Sequence, residues 1–279
     1  MEREATGGPA DWLDSSTPNI ARMYHHYLGG RETFQADRDA AEQVLAALPV
    51  TRVSAAAIRE FIRRAVRFLA GEAGIDQFLD LGVGLPARHA VHEVAQQVNP
   101  AARVAYVDND PVVVSHGDAL LAKPGVAVVV RADLRRPAEL LAMPEIRAHL
   151  DFRRPVAVLL VSVLHFIADA DDPYAIVATI RNALPAGSYL ALSHISADFV
   201  PDESVVRRAM AAYQKANAPA WPRGRADILR FFDGFDLVEP GLVPKPRWRP
   251  EPGTDPAGIP DVSWCGVARL RPGPQAGTS

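Results

Sequence analysis

Cysteine is almost absent. The chain has one, Cys265, so no disulfide can form within it and no cysteine cluster can hold zinc. It lies in an apolar alternating stretch and is expected to be a buried strand residue. Long apolar runs are missing too. The longest, Val156–Ala168, is too short to cross a bilayer and contains His165. Charge of one sign is not in excess: 30 Lys and Arg stand against 33 Asp and Glu. A net charge of −3 gives no global field that draws a chain to nucleic acid. No Gly-Lys-Ser/Thr sequence closes a glycine loop, which excludes a phosphate P-loop. His89 and His92 share a helix face, but no carboxylate set accompanies them, and no metal is expected. No internal repeat is apparent. The first residues are polar and acidic, unlike a signal peptide. The expectation is a soluble cytoplasmic protein, monomer or homodimer, with no membrane or nucleic-acid partner.

What is present centres on Phe78–Pro86, which reads Phe-Leu-Asp-Leu-Gly-Val-Gly-Leu-Pro. An apolar strand runs into Asp80, and Gly82 and Gly84 leave bare backbone against which a ligand can lie. Pro86 suits a first helical position, with Ala87–Val98 as the helix. Strand, glycine turn and helix make the nucleotide-binding opening of a doubly wound sheet. Ala87 takes the third glycine position of the dinucleotide fingerprint, which tolerates it. A carboxylate at Asp80 repels a pyrophosphate but suits an ammonium or a sulfonium. The strand Arg103–Val107 ends in Asp108, where an acidic side chain accepts both ribose hydroxyls. Together these features fit the S-adenosylmethionine site of a class I methyltransferase. A nicotinamide-dependent Rossmann enzyme is the nearest alternative, and a glycine-rich turn without a ligand is the bland one.

The rest of the chain agrees with an α/β fold. Residues 1–14 and 272–279 are expected to be disordered tails. Residues 15–73 form a helical cap, with helices Asn19–Leu28, Ala36–Leu48 and Val53–Ala73, and Thr17 as a possible first cap. Arg59, Arg63, Arg64 and Arg67 on the third helix are taken as a solvated face. Residues 74–271 form the Rossmann-like domain. Its strands are Gln77–Leu81, Arg103–Val107, Val126–Arg131, Val156–Leu164 and Tyr189–His194. The helices between them are Ala87–Val98, Pro111–Leu121, Pro137–Leu150 and Pro173–Leu184. This alternation implies a parallel sheet. Helices Asp202–Asn217 and Arg225–Phe232 follow, then strands Asp236–Val238 and Ser263–Leu270. That makes about seven strands, the last antiparallel. Lys245–Arg249 is taken as a solvated basic loop.

Ligands of open α/β sheets bind beyond the carboxyl ends of the strands. Asp108 and Asn109 are then the ribose candidates, and Asp133 and Leu134 the adenine candidates. Asp133 has an alternative as a cap for the helix at Pro137. His165, after the fourth strand, can pack on the cofactor or act as a base; His194 has a similar balance. Asp172-Pro173-Tyr174 has one proline and starts a helix, unlike the Asn/Asp-Pro-Pro-aromatic run of methyltransferases that act on base amino groups. In the first helix, Tyr24 and Tyr27 offer aromatic faces to a cation. Arg22 is a candidate partner for the methionine carboxylate, and Gly29-Gly30 lets the chain turn closely over a ligand. The segment is expected to close the cofactor pocket.

Several stretches resemble an S-adenosyl methyltransferase family abundant in actinobacteria. They are Thr17–Gly30 with Phe34 and Ala36-Asp37-Arg38, Phe78–Pro86, Tyr106–Pro111, Ala132–Arg135, Val163–Phe166 and Ser188–His194. The resemblance covers roughly residues 15–270. It implies a Rossmann-like fold, S-adenosylmethionine as cofactor, S-adenosylhomocysteine as product and a small-molecule acceptor that is generally unassigned. His25 stands where the family is usually acidic, His26 where it is often aromatic or apolar, and Arg31-Glu32-Thr33 where it usually reads Lys-Asp/Glu-Asn. These departures motivate a second reading, a cofactor-binding protein without catalysis.

Overall fold

Apolar runs without alternation belong to strands covered on both faces. β1 (Gln77–Leu81) and β4 (Ala157–Val161) are buried at every position. In the computed structural model, which describes residues 14–272, they join β2 (Arg103–Asp108), β3 (Ala127–Arg131) and β5 (Tyr189–Ile195). These five run parallel in the order β3-β2-β1-β4-β5. β6 (Phe235–Leu237) and β7 (Val243–Pro244) both pair antiparallel with β8 (Ser263–Leu270), which itself lies antiparallel to β5. Among the described residues the sheet has eight strands rather than about seven, because the two-residue β7 is too short to leave an alternating pattern.

Successive strand residues face opposite sides. Leu79, Leu81, Val158, Leu160 and Leu192 pack into one core, with α6 (Pro137–Ala142), α7 (Pro144–His149) and α8 (Pro173–Asn182). Phe78, Leu159 and Ala191 pack into another, under α3 (Thr51–Gly71) and α4 (Val91–Gln96). α5 (Pro111–Leu120) follows β2. α1 (Ile20–Tyr27), α2 (Gln35–Ala47) and α9 (Glu203–Tyr213) share a third cluster through Met23, Tyr27, Ala41, Val44 and Ala212. α10 (Arg225–Arg230) precedes β6. Among the described residues no helix is long and apolar enough to cross a membrane.

Several boundaries differ from expectation for local reasons. The helix after the glycine turn does not start at Pro86. It begins at Val91, where Glu93 accepts the N–H of Ala90 at 3.1 Å. The carbonyls of Arg88 and His89 are taken instead by the Arg59 guanidinium, at 2.9 and 3.1 Å. Pro137–Leu150 breaks in two because Pro144 has no N–H to continue the ladder. Asn19, not Thr17, caps α1: its side-chain oxygen accepts from Ala21 and Arg22 N–H. β4 stops at Val161 because Ser162 takes φ +60 and Leu164–Phe166 forms a 3-10 turn. α9 ends at Tyr213, short of Asn217, whose side chain accepts the Ile20 N–H.

The basic stretch is not a solvated loop. Lys245 is fully buried and donates to Asp261 at 2.6 Å and to Ser54 at 3.0 Å. Burial lowers its pKa, and Asp261 opposes that shift. Trp248 is buried with its ring edge-on to Phe61. Arg64 donates to the carbonyls of Trp248 and Lys245, so it ties α3 to the segment between β7 and β8. Cys265 is a buried free thiol. The expected disordered tails lie outside the described residues, apart from Asp14 and Pro272.

Candidate active site

A cavity of about 300 Å³ opens at the carboxyl ends of β1, β2 and β4, and α1, α3 and α9 close over it. The glycine turn forms its floor. Gly82 and Gly84 have φ +78 and +65, the left-handed region that favours glycine. A Cβ on Gly82 would come within 2.5 Å of a Val163 methyl, whereas one on Gly84 would meet nothing within 4 Å. Gly82→Ala is therefore expected to lower stability by about 1–2 kcal/mol from the left-handed conformation alone, with the Val163 clash adding to it. Thermal unfolding checks this, and an unchanged melting temperature would mean that the turn relaxes.

Asp108 stands beside the turn. One carboxylate oxygen accepts from Gly84 N–H and the other from Asp110 N–H, both at 3.0 Å. Burial raises its pKa, and these two N–H groups oppose the shift. A carboxylate offers about four acceptor sites, so lone pairs remain for a ligand. Asp110 caps α5 and also accepts from the Asn19 side-chain amide, which ties the start of α1 to the cavity. Asn109 lines the same wall.

Asp80 is buried on β1, and burial pushes its pKa up to about 7; Arg59 opposes that shift and Asp108 adds to it. Arg59 is the residue that sequence reasoning missed. It lines the cavity, and its buried Nε has no partner among the described residues. A signal existed. Thr51, Ser54, Ala55, Ile58, Arg59 and Ile62 follow the three- and four-residue spacing of one helix face, and all line the cavity.

The other candidates divide. Asp133 and Leu134 line the cavity after β3. Asp133 does not cap α6; it holds the Arg135 guanidinium at 2.7–3.0 Å, which lowers its pKa. Tyr24 and Tyr27 line the cavity from α1, beside Ile20 and Ala21. The Tyr24 hydroxyl donates to the Ala55 carbonyl at 3.3 Å, and the Tyr27 hydroxyl meets that of Tyr213 at 3.1 Å. Burial raises the pKa of both, Tyr24 to about 12.

Arg22 is not at the cavity. It lies on the far side of α1, where its Nε donates to the buried Asp37 at 2.6 Å and its Nη2 donates to the carbonyls of Asp14 and Thr17. Gly30 is also outside the lining. The space of its missing side chain is taken by the His25 ring, 2.0 Å from an ideal Cβ. His26 pairs with Glu42 at 2.8 Å. None of the departures from the family pattern, His25, His26 or Arg31-Glu32-Thr33, is among the residues that line the cavity.

His194 is buried away from the cavity. Arg223 donates to its Nε2 at 2.9 Å, so its Nδ1–H donates to the Ile195 carbonyl at 2.7 Å. Burial lowers its pKa to about 3. His165 does line the cavity. Burial holds its pKa well below the usual value, and its Nδ1 has no partner among the described residues.

A family model described as S-adenosyl methyltransferase matches residues 6–271. A DUF574 family protein from Streptomyces avermitilis is 39% identical, with 92% of this chain and 99% of that chain covered and a TM-score of 0.86. A candidate methyltransferase from Thermobifida fusca is 41% identical, with 94% and 98% covered and a TM-score of 0.87. An S-adenosylmethionine-dependent methyltransferase from Anabaena variabilis, 12% identical, shares the fold at a TM-score of 0.53 over 94% of this chain and 100% of that chain. None of the curated proteins compared matches the chain.

Proposed function

The chain belongs to the S-adenosyl methyltransferase family and uses S-adenosylmethionine, and from that premise we propose that it methylates a small-molecule acceptor in the cavity under α1, α3 and α9. The observation that carries the reading is the ring of Asp80, Gly82, Gly84, Asp108 and Arg59 around one end of that cavity. The residues fit the cofactor. Gly84 leaves open space where a side chain would stand, and Arg59 keeps an unspent buried donor.

In this reading Asp108 and Asn109 hold the ribose, and Asp133 and Leu134 hold the adenine. Arg59 replaces Arg22 as partner of the methionine carboxylate, since a guanidinium binds carboxylates through paired N–H groups. Asp80 balances positive charge at the sulfur. When bound, S-adenosylmethionine supplies an activated methyl group with its leaving group built in. The protein supplies orientation and excludes water, and Tyr24, Tyr27 and α9 cover the site. The balanced net charge of −3 supports an acceptor other than nucleic acid. A single buried cysteine suits a reducing compartment and supports a reaction in the cytoplasm.

The pH dependence has a definite sign. Asp80, with a pKa of about 7, becomes ionised as pH rises through that value. An ionised carboxylate favours the cationic sulfonium over the neutral thioether. The ratio of S-adenosylmethionine to S-adenosylhomocysteine affinity is expected to rise with pH across neutrality, and to flatten in Asp80→Asn. Calorimetry at acidic and alkaline pH checks it; a falling ratio would remove Asp80 from this role. The reading as a whole is tested by incubating the protein with methyl-labelled cofactor and a whole-cell extract that retains metabolites, nucleic acid and protein. Label is expected in the low-mass fraction. Label confined to nucleic acid or protein would overturn the small-molecule acceptor.

A further inference from the structure

The cavity is chemically divided. Its charged lining residues, Arg59, Asp80, Asp108, Asp110, Asp133 and Arg135, come from α3 and from the ends of β1, β2 and β3. Beyond β4 the lining is neutral and mostly apolar, with Val163, Phe166, Ile195, Met210 and Val262 among it. The strand order gives this division a direction. Asp133 follows β3, Asp108 follows β2, Asp80 lies on β1 and His165 follows β4, in the spatial sequence β3-β2-β1-β4. Neighbouring strands are about 4.8 Å apart. With adenine over β3 and ribose over β2, the sulfur end lies toward β1 and the acceptor beyond it, over β4 and β5.

Five buried side-chain polar atoms lack a partner among the described residues, and four of them belong to residues lining this cavity. Arg59 Nε lies on the cofactor side. His165 Nδ1 and Ser263 Oγ belong to the neutral side, and Thr51 Oγ1 stands at the first residue of α3. Ser263 pairs with Ile195 across β5 and β8, and the His194 ring next to it lies 5.4 Å from that of His165. Unpartnered buried polar groups are costly and call for a partner. No charged side chain lines this side to pair with a permanently charged acceptor, whose charge would be buried without an opposite one.

We propose that the acceptor is an uncharged, largely apolar molecule bearing a hydroxyl group, and that His165 accepts that hydroxyl's hydrogen bond; this rests on the methyltransferase reading above. In the transfer, the hydroxyl oxygen bonds to the methyl carbon as the sulfur–methyl bond breaks. The pair from that bond stays on sulfur, leaving a neutral thioether, and the hydroxyl proton passes to the imidazole of His165. The lowered pKa keeps the ring neutral and able to accept at ordinary pH. A hydroxyl already bonding to a methyl group is acidic enough for a weak base to take its proton.

The test is calorimetry on the full chain saturated with S-adenosylhomocysteine, titrated with four probes of one shape: 2-naphthol, 2-naphthoate, 2-naphthylmethylammonium and 2-methylnaphthalene. 2-Naphthol is expected to bind at least tenfold more tightly than either charged probe. His165→Ala is expected to weaken 2-naphthol at least tenfold and 2-methylnaphthalene less than twofold, with His165→Gln restoring part of the loss. A charged probe binding as tightly as 2-naphthol, or no binding of 2-naphthol, overturns the acceptor class. Equal weakening of 2-naphthol and 2-methylnaphthalene in His165→Ala reduces His165 to a packing residue. No binding of S-adenosylhomocysteine in the first step overturns the cofactor reading itself, and this inference with it.

Discussion

Asp108→Ala is expected to lower the affinity for S-adenosylhomocysteine ten- to hundredfold while the sheet stays folded. Asp108 ends β2 at a half-buried position, its two oxygens held by Gly84 and Asp110 N–H. Those bonds aim the carboxylate and leave lone pairs for two hydroxyls. Hydrogen bonds to charged groups contribute about 1.5–3 kcal/mol, which is about ten- to hundredfold in affinity. The same substitution releases the Gly84 N–H, so the turn loses an anchor as well as the ribose its partner. Asp108→Asn keeps one carbonyl oxygen and is expected to lose less. Calorimetry with a parallel melting curve separates the effects. An unchanged affinity in a folded variant would mean that the ribose is held elsewhere.

Arg22→Ala acts on stability. Asp37 is fully buried and takes the Arg22 guanidinium at 2.6 Å together with the N–H groups of Asn19 and Phe34. Removing one partner of a buried ion pair costs about 3–5 kcal/mol, because the other charge is left uncompensated. The two backbone donors soften the loss, so about 3 kcal/mol is expected from urea unfolding. Asp37→Asn in the same background is expected to recover part of it. This contrasts with the role that the sequence suggested for Arg22. A partner of the methionine carboxylate would lose cofactor affinity without losing stability, and that outcome would return Arg22 to the site.

The contrast between Arg22 and Arg59 marks the limit of the sequence. Both are arginines on cap helices, and periodicity alone leaves their orientation open. Arg22 precedes Tyr24 by two residues, so it points away when Tyr24 faces the cavity. That choice is made by Asp37, a partner 15 residues away. Arg59 looked like part of a solvated face because four arginines crowd α3. The partners of Arg59 and Arg64, the carbonyls of Arg88, His89, Lys245 and Trp248, are distant in sequence and carry no side-chain signal; Arg63 pairs with the Glu60 and Glu251 side chains instead. The strands were easier. β1 and β8 fall where the apolar runs put them, because burial on both faces writes itself into composition. The turn at Gly82 and Gly84 and the acid at Asp108 were legible for a similar reason, since each is required by backbone geometry next to a strand end. The loop between Pro86 and Ala90 was not, because a side chain from α3 holds it open.

The most direct measurement is a calorimetric titration of the full chain with S-adenosylhomocysteine and, separately, with NAD. Saturable one-to-one binding of S-adenosylhomocysteine, weakened by Asp108→Ala, is expected, with no heat from NAD. Tight NAD binding with no heat from S-adenosylhomocysteine would contradict this expectation.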